Sequence, residues 1–267
     1  ETGFDSRRPD RSYNSCRKII ARAFVKGEQF SAPRMEKNIP HHIALIPDGN
    51  RRWAQAQGLQ PWKGHEKGAE RFFEVAEHAF NSGIPYVTLW AASIDNLTKR
   101  SKLEIRFLCS ILRRELQSKR TISLFMDNKI RVRFIGQWKK LVNDSKLISV
   151  IEQRQEDTKR FTEKNLTILF GYDGKREMMD AICKFQRSPE TLIDYMSVKE
   201  CLWTSTLPLV DLVVRAGGEP HWSGGFMMWH TADSQFYFTQ KFWPDFDTQE
   251  LQKALVDYAS RERRFGK

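Results

Sequence analysis

The sequence predicts an α/β fold in which a mostly parallel central sheet is flanked by helices. Short apolar runs alternate with amphipathic segments of about 10–20 residues, a pattern typical of strands and helices that alternate along a parallel sheet. Turns that contain glycine, asparagine or aspartate follow several of the apolar runs. Internal repeats and low-complexity tracts are absent from the sequence.

Five strands are predicted from short, mostly apolar runs. The first ends directly before Asp48, and the third alternates Arg131 and Arg133 with apolar neighbours. The fifth is apolar except for Asp211 and is followed by a glycine-rich turn and a further apolar segment from Phe226. In chain order, the predicted strands are residues 42–47, 86–92, 130–135, 166–170 and 209–214.

Four amphipathic helices are predicted between and after these strands. The first closes at Ser82 and Gly83, a typical helix end, and its apolar residues share one face. That face carries Ala69, Phe72, Phe73, Ala76 and Phe80. The predicted helices are residues 66–81, 102–120, 141–164 and 175–187.

Charge and cysteine content restrict the class of protein. Lys and Arg outnumber Asp and Glu by 44 to 33, and the formal net charge of +11 favours anionic partners such as phosphates, nucleic acid or acidic membrane surfaces. A solvated basic surface explains the same excess. The four cysteines lack C-x-x-C spacing, which is typical of reduced cysteines in a cytosolic protein. No apolar run approaches the ~20 residues that span a bilayer, so a soluble, cytoplasmic protein is expected.

The chain is predicted to have two regions. Residues 39–267 form a single domain, which is long enough to bury a large core without a disulfide or metal. Residues 1–38 form a basic N-terminal extension, in which residues 7–26 hold seven Lys or Arg and one acid. One interpretation is a short helix on the domain surface. The other is a basic amphipathic element that rests on anionic lipid and makes the protein peripheral to a membrane.

Asp48 opens the first of three polar turns that follow predicted strands. Ligands bind beyond the carboxyl ends of strands in open α/β sheets, so each turn is a candidate binding position. Gly49 allows close approach of the backbone to a ligand, and the amides that follow could open a helix N-terminus that accepts an anion. Arg51 and Arg52 supply fork-shaped donors for phosphate. A divalent cation would explain a carboxylate beside phosphate, whereas an Asp-Gly turn with a helix cap explains these residues without a ligand.

The second and third turns carry similar groups. Residues 93–100 offer an acid, an amide and two cations directly after a strand, although a capped helix start is the alternative explanation. Arg215 leaves the fifth strand and enters a turn with Gly217 and Gly218, with His221 and Ser223 nearby, which predicts a phosphate-binding turn. Three such strand ends in one sheet indicate an anion site more strongly than any single turn.

Residues 46–54 resemble the first signature of the cis-prenyltransferases, the undecaprenyl and dehydrodolichyl diphosphate synthase family. The resemblance continues in the family's order through Gly64-His65, Asp95-Asn96, and residues 215–219, 243–246 and 261–266, so it spans about residues 40–267. It implies the cis-prenyltransferase fold, which is distinct from the Rossmann type and contains an apolar tunnel for the growing prenyl chain. It also implies Mg²⁺, prenyl diphosphate substrates and a dimer, with a homodimer expected and a heterodimer left open.

The resemblance also implies roles for individual residues. Asp48 would hold Mg²⁺ and organise departure of the diphosphate, and Asn96 would remove or position a proton. The allylic diphosphate would lie against residues of the first turn and His65, and the acceptor's diphosphate against Arg215 and Ser223. The expected substrate-binding residues are Gly49, Asn50, Arg51, Arg52, Trp53, His65, Ser93, Lys99, Arg215, His221 and Ser223. The candidates for the tunnel wall, each of which could also be ordinary core, are Phe72, Phe73, Leu89, Trp90, Phe107, Leu108, Leu112, Phe134 and Ile135.

The departures from the family pattern cluster on the acceptor side. His221 stands where a second Arg is usual, and Gln235 stands where a Glu is usual, which leaves Asp233 as the nearest acid. One residue is inserted at Gly224-Gly225. Other differences are Pro61 for a basic residue, Asp95 for Glu and Lys99 for Arg.

Two enzymatic hypotheses follow. The first is condensation of an allylic prenyl diphosphate with isopentenyl diphosphate in cis. The second is a divergent reaction, either irregular coupling of allylic diphosphates such as dimethylallyl diphosphate or ionisation and cyclisation of one prenyl diphosphate. A non-catalytic partner subunit is disfavoured by the intact Asp48, Asn50, Arg52 and His65. A nucleic-acid partner would explain the charge but not the glycine turns, so none is expected.

Overall fold

Six strands of the described part of the chain form its central sheet. The structure is a computed structural model that describes residues 39–186 and 194–261. The strands are β1 (His42–Ile46), β2 (Tyr86–Ser93), β3 (Ile130–Ile135), β4 (Lys164–Tyr172), β5 (Leu212–Arg215) and β6 (Gln235–Phe238). They lie in the order β3-β4-β2-β1-β5-β6, and every neighbouring pair is parallel.

Helices connect these strands and cover the sheet. Between β1 and β3 lie α1 (Asn50–Ala56), α2 (Pro61–Asn81), α3 (Ile94–Thr98), α4 (Lys102–Gln117) and α5 (Lys119–Asp127). Beyond β3 lie α6 (Trp138–Leu141), α7 (Ser145–Thr158), α8 (Gly174–Gln186), α9 (Tyr195–Cys201), a short 3₁₀-helix (Trp243–Asp245) and α10 (Thr248–Ser260). No described helix is both long and apolar enough to cross a membrane.

The predicted α/β class with a parallel sheet is confirmed, and each of the five predicted strands is present within a few residues. The sixth strand, β6, was not predicted. It has only four residues and lies at the edge of the sheet, where Phe238 stays 41% exposed. Such a strand lacks the continuous apolar run of a buried parallel strand, and its partner β5 is distant in sequence. The predicted extension 1–38 and the closing residues 262–267 lie outside the described residues.

Side-chain caps divide two helices that were predicted as single elements. The predicted helix 102–120 ends at Ser118, whose backbone is extended and whose side chain accepts a hydrogen bond from the Thr121 N–H. The predicted helix 141–164 is replaced by α6 and by α7, which begins after Asp144 because that carboxylate accepts a hydrogen bond from the Leu147 N–H. Serine and aspartate at such positions satisfy backbone donors at a new helix start. The prediction had followed apolar spacing alone and missed these caps.

The sheet topology brings the three polar turns together. β1 pairs with β2 on one side and with β5 on the other, so it lies between the two strands whose turns carry polar groups. Ile46 is in register with Arg215, and Leu45 with Leu89. All three strands point the same way, so their carboxyl ends meet at one edge of the sheet, where open α/β folds bind ligands. The predicted convergence of these turns is therefore confirmed.

Candidate active site

A polar pocket of about 220 Å³ opens at the carboxyl ends of β1, β2 and β5. It is lined by residues from all three polar turns, together with His65 of α2 and with Trp90 and Ala91 of β2. Its lining residues are Ile46, Pro47, Asp48, Asn50, His65, Trp90, Ala91, Ser93, Asn96, Arg100, Arg215 and Ser223. Asp48 is the one acidic residue among these lining residues of the described chain.

Asp48 is held in place by its own turn and by two arginines. Its Oδ1 accepts a hydrogen bond from the Gly49 N–H at 2.6 Å and lies 3.3 Å from Arg52 Nη2. Its Oδ2 accepts a hydrogen bond from Arg215 Nη2 at 3.0 Å. The carboxylate remains 38% exposed, so it faces the pocket rather than the core. An anionic ligand could therefore share these arginines with Asp48.

Gly49 is required by the geometry of this turn. Its φ is +92°, a left-handed conformation that side chains disfavour. A Cβ at this position would lie 2.4 Å from the Phe242 ring. The turn can therefore be this tight only with glycine, which fixes the direction in which Asp48 leaves β1.

Three buried polar atoms of the residues that line the pocket have no hydrogen-bond partner within residues 39–186 and 194–261. They are Asn50 Oδ1, His65 Nε2 and Arg215 Nε. Buried polar groups in folded proteins are nearly always paired, so three unpaired atoms around one pocket indicate a polar ligand. Arg215 is only 4% exposed, and its Nη1 donates to the His221 carbonyl oxygen at 3.0 Å, so its guanidinium is fixed in orientation.

Glu104 orders the cations at the edge of the pocket. Its Oε1 lies 3.2 Å from Arg100 Nη1, 3.8 Å from Arg51 Nη1 and 4.0 Å from His65 Nε2. Burial, together with the positive charges of Arg100 and Arg51, lowers the pKa of His65 to about 4. The imidazole is therefore neutral at pH 7 and can either donate or accept a hydrogen bond.

Ser93 and Asn96 form a reciprocal cap at the start of α3. The Asn96 N–H donates to Ser93 Oγ at 2.9 Å, and the Ser93 N–H donates to Asn96 Oδ1 at 3.2 Å. This cap confirms the capped helix start that was one interpretation of the turn. Both side chains also line the pocket, and the cap leaves the Asn96 amide NH₂ as the group available to a ligand.

The structure places Arg100, rather than the predicted Lys99, in the polar pocket. The Lys99 side chain is 74% exposed and pairs with Asp95 at 2.7 Å on the surface. Arg100 is four residues after Asn96, the spacing that puts two side chains on one side of a helical turn, and this signal could have identified it. Sequence reasoning also missed Glu104 and Glu219, the latter 3.4 Å from Arg52 Nη1.

Several other predicted site residues lie at the rim or outside the pocket. The Arg51 side chain is 56% exposed, and Arg52 lies between Asp48 and Glu219 with its guanidinium over the Phe242 ring. Trp53 donates its indole N–H to Asp245 Oδ1 at 2.8 Å, and the His221 side chain is 56% exposed. Lining of the polar pocket is therefore observed for Asp48, Asn50, His65, Ser93, Asn96, Arg215 and Ser223.

Gln235 lies at the opposite end of the sheet from the polar pocket. It is in register with Leu212 at the start of β5, whereas Arg215 at the end of β5 is in register with Phe238. Three strand residues correspond to about 10 Å. Within one chain, the substitution of Gln235 for an acid therefore does not alter the lining of the polar pocket.

An apolar pocket of about 100 Å³ adjoins the polar one, and the two share Pro47, Asn50, His65 and Ala91. Five predicted tunnel residues line it, namely Phe72, Phe73, Leu89, Leu108 and Leu112. Of the other candidates, Trp90 lines the polar pocket, Phe107 stacks on Trp62, and Phe134 and Ile135 belong to the packed core. Lining residues that were not predicted include Ala69, Ile111, Glu115, Ile168, Phe170 and Trp243.

A polar pocket beside an apolar pocket matches a molecule that has an anionic head and a hydrocarbon chain. The family model described as "Putative undecaprenyl diphosphate synthase" matches residues 46–266. The chain therefore belongs to this family, the cis-prenyltransferases, and is an enzyme that transfers prenyl groups. The predicted family and fold are confirmed.

Individual relatives agree with this assignment. Dehydrodolichyl diphosphate synthase 4 of Arabidopsis thaliana is 36% identical over 96% of this chain and 89% of its own length. An isoprenyl transferase of Thermus thermophilus is 35% identical over 86% of this chain and 89% of its own length. Among solved structures, lavandulyl diphosphate synthase from Lavandula x intermedia in complex with dimethylallyl diphosphate has a TM-score of 0.80 and 29% identity, and covers 86% of this chain and 99% of its own.

Proposed function

We propose that the protein condenses an allylic prenyl diphosphate with isopentenyl diphosphate in cis, with Mg²⁺ as cofactor. One observation carries this proposal. The polar pocket, with Asp48 between two arginines, adjoins an apolar pocket, and four residues line both. An allylic diphosphate has the matching shape, because its charged head is attached to a hydrocarbon chain.

The donor diphosphate fits the Asp48 side of the polar pocket. Asn50 and His65 border both pockets, so their unpaired atoms lie where the head of a bound substrate would join its hydrocarbon chain. Arg100 supplies a guanidinium group that lines the polar pocket, and Arg52 supplies a second one at its rim, beside Asp48. The hydrocarbon chain would then bury apolar surface against the five tunnel residues, at roughly 0.8 kcal/mol per CH₂.

The residues present fit a magnesium ion that is bound together with substrate. The described residues contain no cluster of three or more His, Cys, Asp or Glu side chains, so the chain offers one carboxylate rather than a complete cage. Mg²⁺ is usually held by one or two carboxylates plus substrate phosphates and water, which matches Asp48. When bound, the ion would neutralise charge that develops on the departing diphosphate.

The proposed reaction breaks the C1–O bond of the allylic diphosphate and releases diphosphate. The double bond of isopentenyl diphosphate forms the new carbon–carbon bond at C1, and transfer of one of its protons to the released diphosphate restores a double bond. Arg52, Arg100 and neutral His65 would stabilise the leaving anion by hydrogen bonds that are already oriented. Asn96 would position the acceptor through its free NH₂ group, and Arg215 with Ser223 would hold the acceptor's diphosphate.

Irregular coupling of two allylic diphosphates is the second candidate. It is supported by the exposed His221 side chain, which leaves the acceptor side with Arg215 as its one buried arginine among the described residues, and by the likeness to lavandulyl diphosphate synthase. Cyclisation of a single substrate is the related alternative. Condensation with isopentenyl diphosphate is favoured, because the relatives named above are dehydrodolichyl diphosphate synthases and isoprenyl transferases.

A homodimer, a cytoplasmic location and contact with a membrane surface through residues 1–38 remain predictions. The chain has 44 basic and 33 acidic residues, and this basic excess supports an anionic partner. The adjoining polar and apolar pockets favour prenyl diphosphates over nucleic acid as that partner. Light scattering of the purified chain and sedimentation with anionic vesicles, each with and without residues 1–38, would test the first and third predictions.

Product analysis tests the proposed reaction. The purified protein and Mg²⁺ are incubated with dimethylallyl, geranyl or farnesyl diphosphate, each with and without isopentenyl diphosphate, and products are identified by mass. Products longer by whole five-carbon units, formed only with isopentenyl diphosphate, are expected. Products formed from dimethylallyl diphosphate alone would favour irregular coupling instead, and absence of turnover in all mixtures would reject the proposal.

A further inference from the structure

A buried polar cluster lies behind the acceptor side of the polar pocket. Its members are Tyr172, Glu177, Thr204 and His230, each at most 1% exposed. Glu177 forms no ion pair with any Lys, Arg or His side chain of residues 39–186 and 194–261. A buried carboxylate without a cation is costly unless hydrogen bonds satisfy it, so this group indicates a specific role.

Glu177 accepts three hydrogen bonds from two different parts of the chain. The Tyr172 hydroxyl, at the end of β4, donates to Oε2 at 2.5 Å. The Thr204 N–H and hydroxyl donate to Oε1 at 2.8 and 2.7 Å. The single Thr204 hydroxyl proton is used in this way, so His230 Nε2, at 2.9 Å from Thr204 Oγ1, must be the donor in that contact.

His230 belongs to residues 221–231, here termed the acceptor loop, which also contains Ser223 of the polar pocket. The loop follows an unusual backbone path, because Gly224, Gly225 and Met227 have φ of 55°, 63° and 46°. Left-handed backbone at Met227 is unfavourable and persists only where the surroundings fix it. The His230 N–H donates to the Met227 carbonyl at 2.8 Å, so the buried cluster reaches this strained position directly.

A second route joins the cluster to the loop through aromatic packing. The Trp90 indole N–H donates to the Tyr172 carbonyl at 3.3 Å, and the Trp90 ring stacks on Phe226 with centroids 5.2 Å apart. A Cβ on Gly174, at the start of α8, would lie 1.8 Å from the Gly225 carbonyl oxygen. The loop thus packs directly against Gly174, which lies between Tyr172 and Glu177 in sequence, and reaches Tyr172 through Trp90.

We infer that Glu177 is a positioning residue that, through Thr204 and His230, fixes the acceptor loop and places Ser223 for the acceptor's diphosphate. This inference rests on the proposed condensation. Glu177, Thr204 and His230 line neither the polar nor the apolar pocket. Loss of the network should therefore weaken use of isopentenyl diphosphate while the donor keeps its contacts with Asn50 and His65.

Steady-state kinetics of three variants test the inference. Each substrate is varied at a saturating level of the other for Glu177→Gln, Thr204→Val and Thr204→Ser. Glu177→Gln and Thr204→Val should raise KM for isopentenyl diphosphate about tenfold. This is the change expected when misplacement of Ser223 removes roughly one buried hydrogen bond to the acceptor's diphosphate. KM for the allylic diphosphate should change less than about twofold. Thr204→Ser keeps the hydroxyl and should therefore keep near-normal kinetics.

Thr158→Val is the matched control, because Thr158 is also 1% exposed and accepts a buried hydrogen bond, from the Val132 N–H at 3.0 Å. It should lower the melting temperature without changing either KM. Equal rises in both KM values, or unchanged KM for isopentenyl diphosphate in Glu177→Gln and Thr204→Val, would overturn the inference. Absence of turnover in the wild-type protein would instead reject the proposed function, so the two failures are distinguishable.

Discussion

Arg100 and Lys99 are sequence neighbours with very different positions, and their replacement distinguishes the structure from the sequence prediction. Arg100 lines the polar pocket with its side chain 21% exposed, whereas the Lys99 side chain is 74% exposed on the surface. Met approximates the length of either side chain and removes its charge. We therefore compare Arg100→Met with Lys99→Met as a matched pair.

The expected loss for Arg100→Met follows from one contact. A hydrogen bond between a guanidinium and a charged phosphate contributes about 1.5–3 kcal/mol. Since each 1.36 kcal/mol of transition-state stabilisation is tenfold in rate, kcat/KM should fall by about 10- to 150-fold. Glu104 keeps its contacts with Arg51 and His65 in this variant, so the fold should persist. Lys99→Met should stay within about twofold of the wild type, as expected for an exposed charge.

The assay is initial-rate kinetics with labelled isopentenyl diphosphate, accompanied by thermal unfolding of each variant. A larger loss for Lys99→Met, or equal small effects of both changes, would refute the assignment of Arg100 to the diphosphate site. Arg100→Lys is a useful third variant, since it keeps the charge but not the fork-shaped donor geometry. It should fall between the wild type and Arg100→Met.

Three further predictions concern the acceptor arginine, the apolar pocket and the buried histidine of β1. Arg215→Lys should raise KM for isopentenyl diphosphate at least about tenfold, because the fixed guanidinium is lost. The same kinetics measure this change, and an unchanged KM would contradict the proposal that Arg215 holds the acceptor's diphosphate. Leu112→Ala should lengthen products by one or more five-carbon units in mass spectra, whereas Leu103→Ala, on the exposed side of α4, should not. Burial lowers the pKa of His42 from 6.5 to about 3. The neutral imidazole is therefore compatible with the fold above pH 6.5, and stability is lost as the pH falls from 6.5 towards 3. The loss should reach about 3 kcal/mol at pH 4 in the free energy of unfolding, and His42→Gln should flatten the pH dependence of denaturant unfolding.

The sheet and the position of Asp48 in the polar pocket were predictable because their signals are local. Apolar runs of a buried parallel strand differ from amphipathic helices in every window, and the turn at Asp48 combines glycine, asparagine and two arginines in seven residues. The carboxyl ends of parallel strands share one edge of the sheet, so the position of the pocket followed from the fold class alone. The structure agrees with each of these steps.

The remaining features depend on contacts between distant residues. Glu177 reads as an ordinary helix residue in sequence, and its role emerges only when Thr204 and His230 are brought beside it. Gln235 was interpreted as part of the acceptor site from its place in a motif, and pairing with Leu212 places it outside the lining of the polar pocket within one chain. Helix ends at Ser118 and Asp144 were set by single caps that apolar periodicity cannot detect.

Asp48→Asn tests the central claim most directly, because it keeps the size of the side chain and removes the charge that would hold Mg²⁺. The account predicts that product formation from an allylic diphosphate and isopentenyl diphosphate falls at least about a hundredfold, while the melting temperature changes by only a few degrees. It also predicts that excess Mg²⁺ fails to restore the rate. Near-normal turnover by Asp48→Asn in the presence of Mg²⁺ would contradict the claim that this carboxylate organises departure of the diphosphate.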